Sequence, residues 1–90
     1  MTRFAVDTSI LVAAAQANDP RGPVARDAIE SRLRNGDAMV IAGHSLVETY
    51  SALTRLPLAL RLTPERATAA VRSFADEAEI VALPAGGYMD

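Results

Sequence analysis

Two short apolar runs constrain this chain most. Phe4-Ala5-Val6 stops at the carboxylate of Asp7, and Met39-Val40-Ile41 forms the centre of Ala38–Ala42. Each is too short for a helix and continuous enough for a strand covered on both faces. They predict strands over Arg3–Asp7 and Ala38–Ala42, and Ile80–Leu83 predicts a third, broken by Pro84-Ala85-Gly86-Gly87. The segments between them carry helix signals. Thr8–Ala17 favours a short helix with Asp7, Thr8 or Ser9 as its cap. Asn18-Asp19-Pro20 is a turn. Gly22-Pro23 opens a second helix, with Pro at its first position and an apolar face of Val24, Ala28, Ile29 and Leu33, ended by Asn35-Gly36. Ser45 is expected to cap a third helix with Leu46, Tyr50 and Leu53 inward, and Thr63-Pro64 to start a fourth. That fourth helix runs to about Ala75, with Ala67, Ala70, Val71 and Phe74 on its inner face. The order β-α-α-β-α-α-β predicts an α/β fold on a short parallel sheet of three strands with right-handed crossovers.

Composition excludes several classes. At 90 residues the chain supports one domain. A domain of this size buries roughly 60–65% of the surface its unfolded chain exposes, so its core is marginal. Half the residues are apolar and the net charge is −2, unlike a disordered chain. There is no Cys, so there is neither a disulfide scaffold nor a thiolate metal site. All nine basic residues are Arg. The slight acidity argues against coating duplex DNA; of the second-half arginines Arg55, Arg61, Arg66 and Arg72, the pair Arg55 and Arg61 around Pro57 suits an RNA backbone, with ordinary solvated arginines the competing reading. The longest uncharged run, Thr8 to Asn18, is well short of the ~20 residues that span a membrane. Asp7 interrupts a start that loosely mimics a signal peptide, so the expectation is a cytoplasmic protein without a membrane partner.

Two carboxylates stand out by position. Asp7 ends the first strand, and Glu48 is expected in the first turn of the helix after the second. Ligands of open α/β sheets bind at the carboxyl ends of the strands, where both residues fall. Asp and Glu on one rim suit a hard cation such as Mg2+, which activates water and holds a phosphate. Structural uses compete with that reading. Asp7 also suits a helix N-cap, and Ser45-Leu46-Val47-Glu48 fits a capping box. Ser9 either orients the Asp7 carboxylate or serves as a first-turn serine, and His44 suits a loop or cap residue. One His and no Cys argue against zinc, and no Walker loop, G-x-G-x-x-G or G-x-S-x-G is present.

Phe4-Ala5-Val6-Asp7-Thr8-Ser9 resembles the opening of the PIN domain, in which an Asp ends strand one and a small hydroxylated residue follows at plus two. Leu46-Val47-Glu48-Thr49-Tyr50-Ser51-Ala52-Leu53-Thr54-Arg55-Leu56-Pro57 resembles the second acidic segment of the VapC group, the toxins of VapBC toxin–antitoxin pairs. The resemblance implies a PIN-like three-layer α/β/α fold and a Mg2+-dependent endoribonuclease, with Mn2+ an alternative ion, cutting tRNA or ribosomal RNA. It implies metal ligands at Asp7 and Glu48, support from Ser9, a homodimer, and silencing by a VapB-like antitoxin. The family also draws acidic residues, and two more strands, from beyond the third strand. The expectation is therefore one incomplete PIN-like domain over residues 1–90, C-terminal strands missing and strand one left as an unpaired edge. Asp90 falls before the matching acidic motif. The competing expectation is a catalytically inactive fragment that binds antitoxin or a partner toxin subunit. A phosphotransferase with Asp7 as nucleophile fits less well, because Ser9 stands where a second Asp is needed and the chain has no Lys.

Overall fold

A computed structural model describes residues 2–16 and 19–82. The elements are β1 (Arg3–Ala5), α1 (Thr8–Ala15), α2 (Gly22–Arg34), β2 (Ala38–Ala42), α3 (Gly43–Thr54), α4 (Pro64–Glu77) and β3 (Ala78–Val81). The strands form one parallel sheet in the order β1-β2-β3. Phe4 lies beside Met39, which lies beside Ala78, and Ile41 lies beside Ile80. This is the α/β architecture expected from the alternation of strand and helix signals.

The sheet is asymmetric. Met39 and Ile41, 1% and 0% exposed, point to one face. Phe4, Val6 and Ala78 share that face with them, and Leu11 and Ala14 of α1, Ala25, Ile29 and Leu33 of α2, Leu46 of α3 and Phe74 of α4 join the same cluster. Fully burying an aliphatic side chain of this kind contributes about 1.5–3 kcal/mol. The opposite face carries Arg3, Ala5, Ala38, Val40, Ala42, Glu79 and Val81, none of which joins the cluster. Across that face the Arg3 guanidinium meets the Glu79 carboxylate at 2.7 Å. The described residues thus supply the sheet and one helical layer. The expectation that β1 is covered on both faces is corrected: Ala5 is exposed on the second face, and β1 pairs with β2 alone among the described residues.

Several boundaries also shift. β1 ends at Ala5, because Asp7 has already turned to cap α1, although the Val6 amide still donates to the Val40 carbonyl at 3.0 Å. α1 ends at Ala15; Ala17, Asn18 and Leu83, with which the sequence extends α1, the turn and β3, lie outside the described residues, as does Asp90. α2 begins at Gly22 with Pro in its first turn, and Gly36, at φ 85°, takes the left-handed conformation that ends it. Its buried face keeps Ile29 and Leu33 as expected, with Ala25 in place of Val24 and Ala28. Val24 is 71% exposed and Ala28 is exposed, while Ala25, Ile29 and Leu33 face the core. A three-residue turn links α2 to β2, and it lets Arg32 close an ion pair with Asp37 at 2.7 Å.

α3 differs most. It begins at Gly43, directly after β2, with no side-chain cap. Ser45 is therefore the third helical residue, buried rather than capping, and Glu48 lies in the second turn rather than the first. The capping box has no place here. The inner face carries Ser45, Thr49 and Leu53, with Leu46 packed against the core, so Leu46 and Leu53 face inward as expected whereas Tyr50 is 37% exposed. Thr49 is accommodated because its hydroxyl donates to the Ser45 carbonyl at 2.6 Å. α4 starts as expected, with the Thr63 hydroxyl accepting from the Arg66 amide, and runs to Glu77 with Ala67 fully buried.

Candidate active site

Asp7 sits where β1 hands over to α1. It is the N-cap of α1, and its Oδ1 accepts from the Ile10 amide at 3.1 Å and from the Ser9 hydroxyl at 2.9 Å. These two donors, the backbone amide foremost, hold the Asp7 carboxyl below its ordinary value. The Ser9 backbone amide adds a weaker pull in the same direction. Capping and the functional reading are compatible, because both use an ionised carboxylate.

Glu48 comes from α3. Its Oε1 accepts from the Thr8 hydroxyl at 3.1 Å and lies 3.9 Å from Nε2 of His44, one turn earlier. Thr8 is next to Asp7 in sequence, so its bond to Glu48 brings the second carboxylate to the first. From the sequence, Thr8 reads only as a cap. The signal that is present there is position: the residue after a strand-ending Asp is the first of α1, and α1 packs against α3.

The result is two carboxylates at one end of the sheet, each with an oxygen held by protein donors. Both side chains are largely exposed, unlike a buried catalytic dyad. Three surface grooves lie elsewhere, and none is lined by Asp7, Ser9 or Glu48. The donor chemistry fits a hard divalent ion, which commonly takes one or two carboxylates and fills its remaining positions with water and phosphate oxygens. No group of three or more His, Cys, Asp or Glu able to hold a metal occurs among the described residues. None of the described helices is long and apolar enough to cross a membrane.

A family model described as "PIN domain" matches residues 4–89. No curated protein is found that matches the chain. PIN domains are generally nucleases.

Proposed function

Because the chain belongs to the PIN domain family, we propose that it is a metal-dependent endoribonuclease of the VapC type, the toxin of a toxin–antitoxin pair. The observation that carries this reading is the pair of exposed carboxylates, Asp7 and Glu48, whose elements the Thr8 hydroxyl joins through its bond to Glu48. In this reading Asp7 and Glu48 hold the ion, and Ser9 and Thr8 orient their carboxylates. When bound, Mg2+ or Mn2+ supplies water activation and positive charge against the phosphate. Ser9 and the Ile10 amide keep Asp7 ionised and fix its rotamer. Thr8 does the same for the orientation of Glu48 across the α1–α3 contact. The partners that follow are a structured RNA such as tRNA or ribosomal RNA, a second copy of the chain, and a VapB-like antitoxin, all in the cytoplasm.

The test is Mn2+ binding by calorimetry, together with cleavage of total RNA in Mg2+. Asp7→Asn should keep the cap, since Asn caps about as well as Asp. It should nonetheless weaken Mn2+ binding at least tenfold and abolish cleavage. Unchanged binding and cleavage in a folded variant would sink the proposal.

A second reading, a subunit that binds antitoxin or a partner toxin without cleaving, is favoured by one observation: no third His, Cys, Asp or Glu joins the pair among the described residues. Partner capture by a chain that binds no Mn2+ and cuts no RNA would establish it.

A further inference from the structure

The arginines divide into two sets. Arg3, Arg21, Arg32 and Arg34 each face a carboxylate, on Glu79, Asp19, Asp37 and Glu30. Arg26, Arg55, Arg61, Arg66 and Arg72 face none among the described residues, and of these Arg55 and Arg61 flank one turn. Both are tethered instead through Nε to backbone carbonyls, Arg55 to Ser51 at 3.1 Å and Arg61 to Leu56 at 2.9 Å. The turn that carries them folds back on the end of α3: the Arg61 amide donates to Pro57 and the Leu62 amide to Leu53. An Nε tether fixes the plane of a guanidinium and leaves its two terminal amino groups to donate side by side, the geometry that matches two phosphate oxygens.

Their placement relative to the carboxylates is set by the helix. His44, Glu48, Ser51 and Arg55 follow one another at spacings of four, three and four, so they form one row along the flank of α3. Glu48 and Arg55 are two turns apart, about 10 Å along the axis. The Arg55–Arg61 turn thus closes the C-terminal end of the flank that carries Glu48.

We propose that Arg55 and Arg61 together grip the phosphodiester backbone of a single-stranded nucleic acid beside the scissile position. This deepens the nuclease reading and rests on it for the word scissile, but the binding itself is tested without cleavage. The experiment uses the full chain carrying Asp7→Asn, in EDTA, with fluorescently labelled single-stranded RNA and DNA of one sequence, titrated over a range of salt. Adding Arg55→Gln and Arg61→Gln should weaken binding tenfold or more and lower the salt slope by about 0.7 for each phosphate no longer neutralised. Arg3→Gln, on the far face of the sheet, should change neither. Weaker binding of both strands, or of RNA alone, supports the proposal and names the strand. Equal affinity and slope with and without the two arginines overturns it, as does a chain that binds neither strand. If binding follows the arginines yet the unsubstituted chain never cleaves in Mg2+, the grip stands and the nuclease reading falls.

Discussion

In the first half of the chain, β1 with α1 and α2, the helices are fastened by directed contacts. Asp7 caps α1, the Arg26 guanidinium donates to the Ala14 carbonyl at 2.8 Å, and Gly22 presses on the end of α1. Arg32 both pairs with Asp37 and lies 4.7 Å over the Phe4 ring. In the second half, β2 with α3, α4 and β3, the contact between helices is made by small or apolar groups, with Thr49, Leu53 and Ala67 all fully buried. No arginine of α3, α4 or the turn between them pairs with a carboxylate among the described residues. Exposed ion pairs contribute only about 0–1 kcal/mol, so the difference concerns charge more than strength. Four of the five arginines before β2 meet a carboxylate, Arg3 that of Glu79 in β3, and the fifth, Arg26, meets a carbonyl. The four arginines after β2 meet none among the described residues.

The largest test of that contrast is in the core. Leu11 and Leu53, both 0% exposed, stand for the two halves. Leu→Ala at either should cost about 2–5 kcal/mol. Urea unfolding should show a single transition in each variant. Two transitions would mean the halves melt separately and would break the comparison into two modules. Next comes Gly22→Ala. An added Cβ would lie 2.6 Å from the Gln16 carbonyl oxygen and 2.9 Å from that of Ala13. Both obstacles are backbone, so stability should fall by about 1–3 kcal/mol, seen as a lower urea midpoint.

The caps give the third test, and pH separates them. Asp7→Ala and Thr63→Ala should each cost about 1 kcal/mol, or about 4–8 °C in Tm. The Asp7 carboxyl is depressed in the folded state, so its contribution is present above the unfolded value, near 3.8, and is lost as pH falls through the lower folded value. The Tm deficit of Asp7→Ala should therefore shrink on acidification below that value, while that of Thr63→Ala persists. A Thr63→Ala deficit that shrinks equally would assign the effect to global acid destabilisation. The smallest effects come from the arginines. Arg32→Ala should cost about 0.5–1 kcal/mol by thermal melting through its ion pair and ring contact. Arg61→Ala should stay within about 0.5 kcal/mol.

Much of this architecture is legible in the sequence. β2 is readable to the residue because Ala38–Ala42 is apolar and bounded by Gly36-Asp37 and Gly43. The start of α4 is clear because Thr63-Pro64 states cap and first turn together. Asp7 and Glu48 follow from the strand-end rule, and the fold does put both on the rim. The misreadings share a physical origin in helix phase. Moving the α3 cap from Ser45 to Ala42 removes the side-chain cap and puts Glu48 in the second turn. On α2, the spacing of Val24, Ala28, Ile29 and Leu33 is helical, but the core selects Ala25 in place of Val24, a smaller side chain at close packing. Thr8 escapes a sequence reading because its partner is 40 residues away, and spacing within one helix carries no trace of such a bond.

The strand order has a consequence for how the chain acquires its shape. Each strand pairs with the next in sequence, Arg3 with Ala38 and Met39 with Ala78, so the two crossings close loops of nearly equal length. Loop-closure entropy grows slowly with length, and neither pairing waits on a more distant one. The sheet can thus assemble in the direction of synthesis, β1 with β2 while β3 is still to be made, each new strand finding its neighbour already in place.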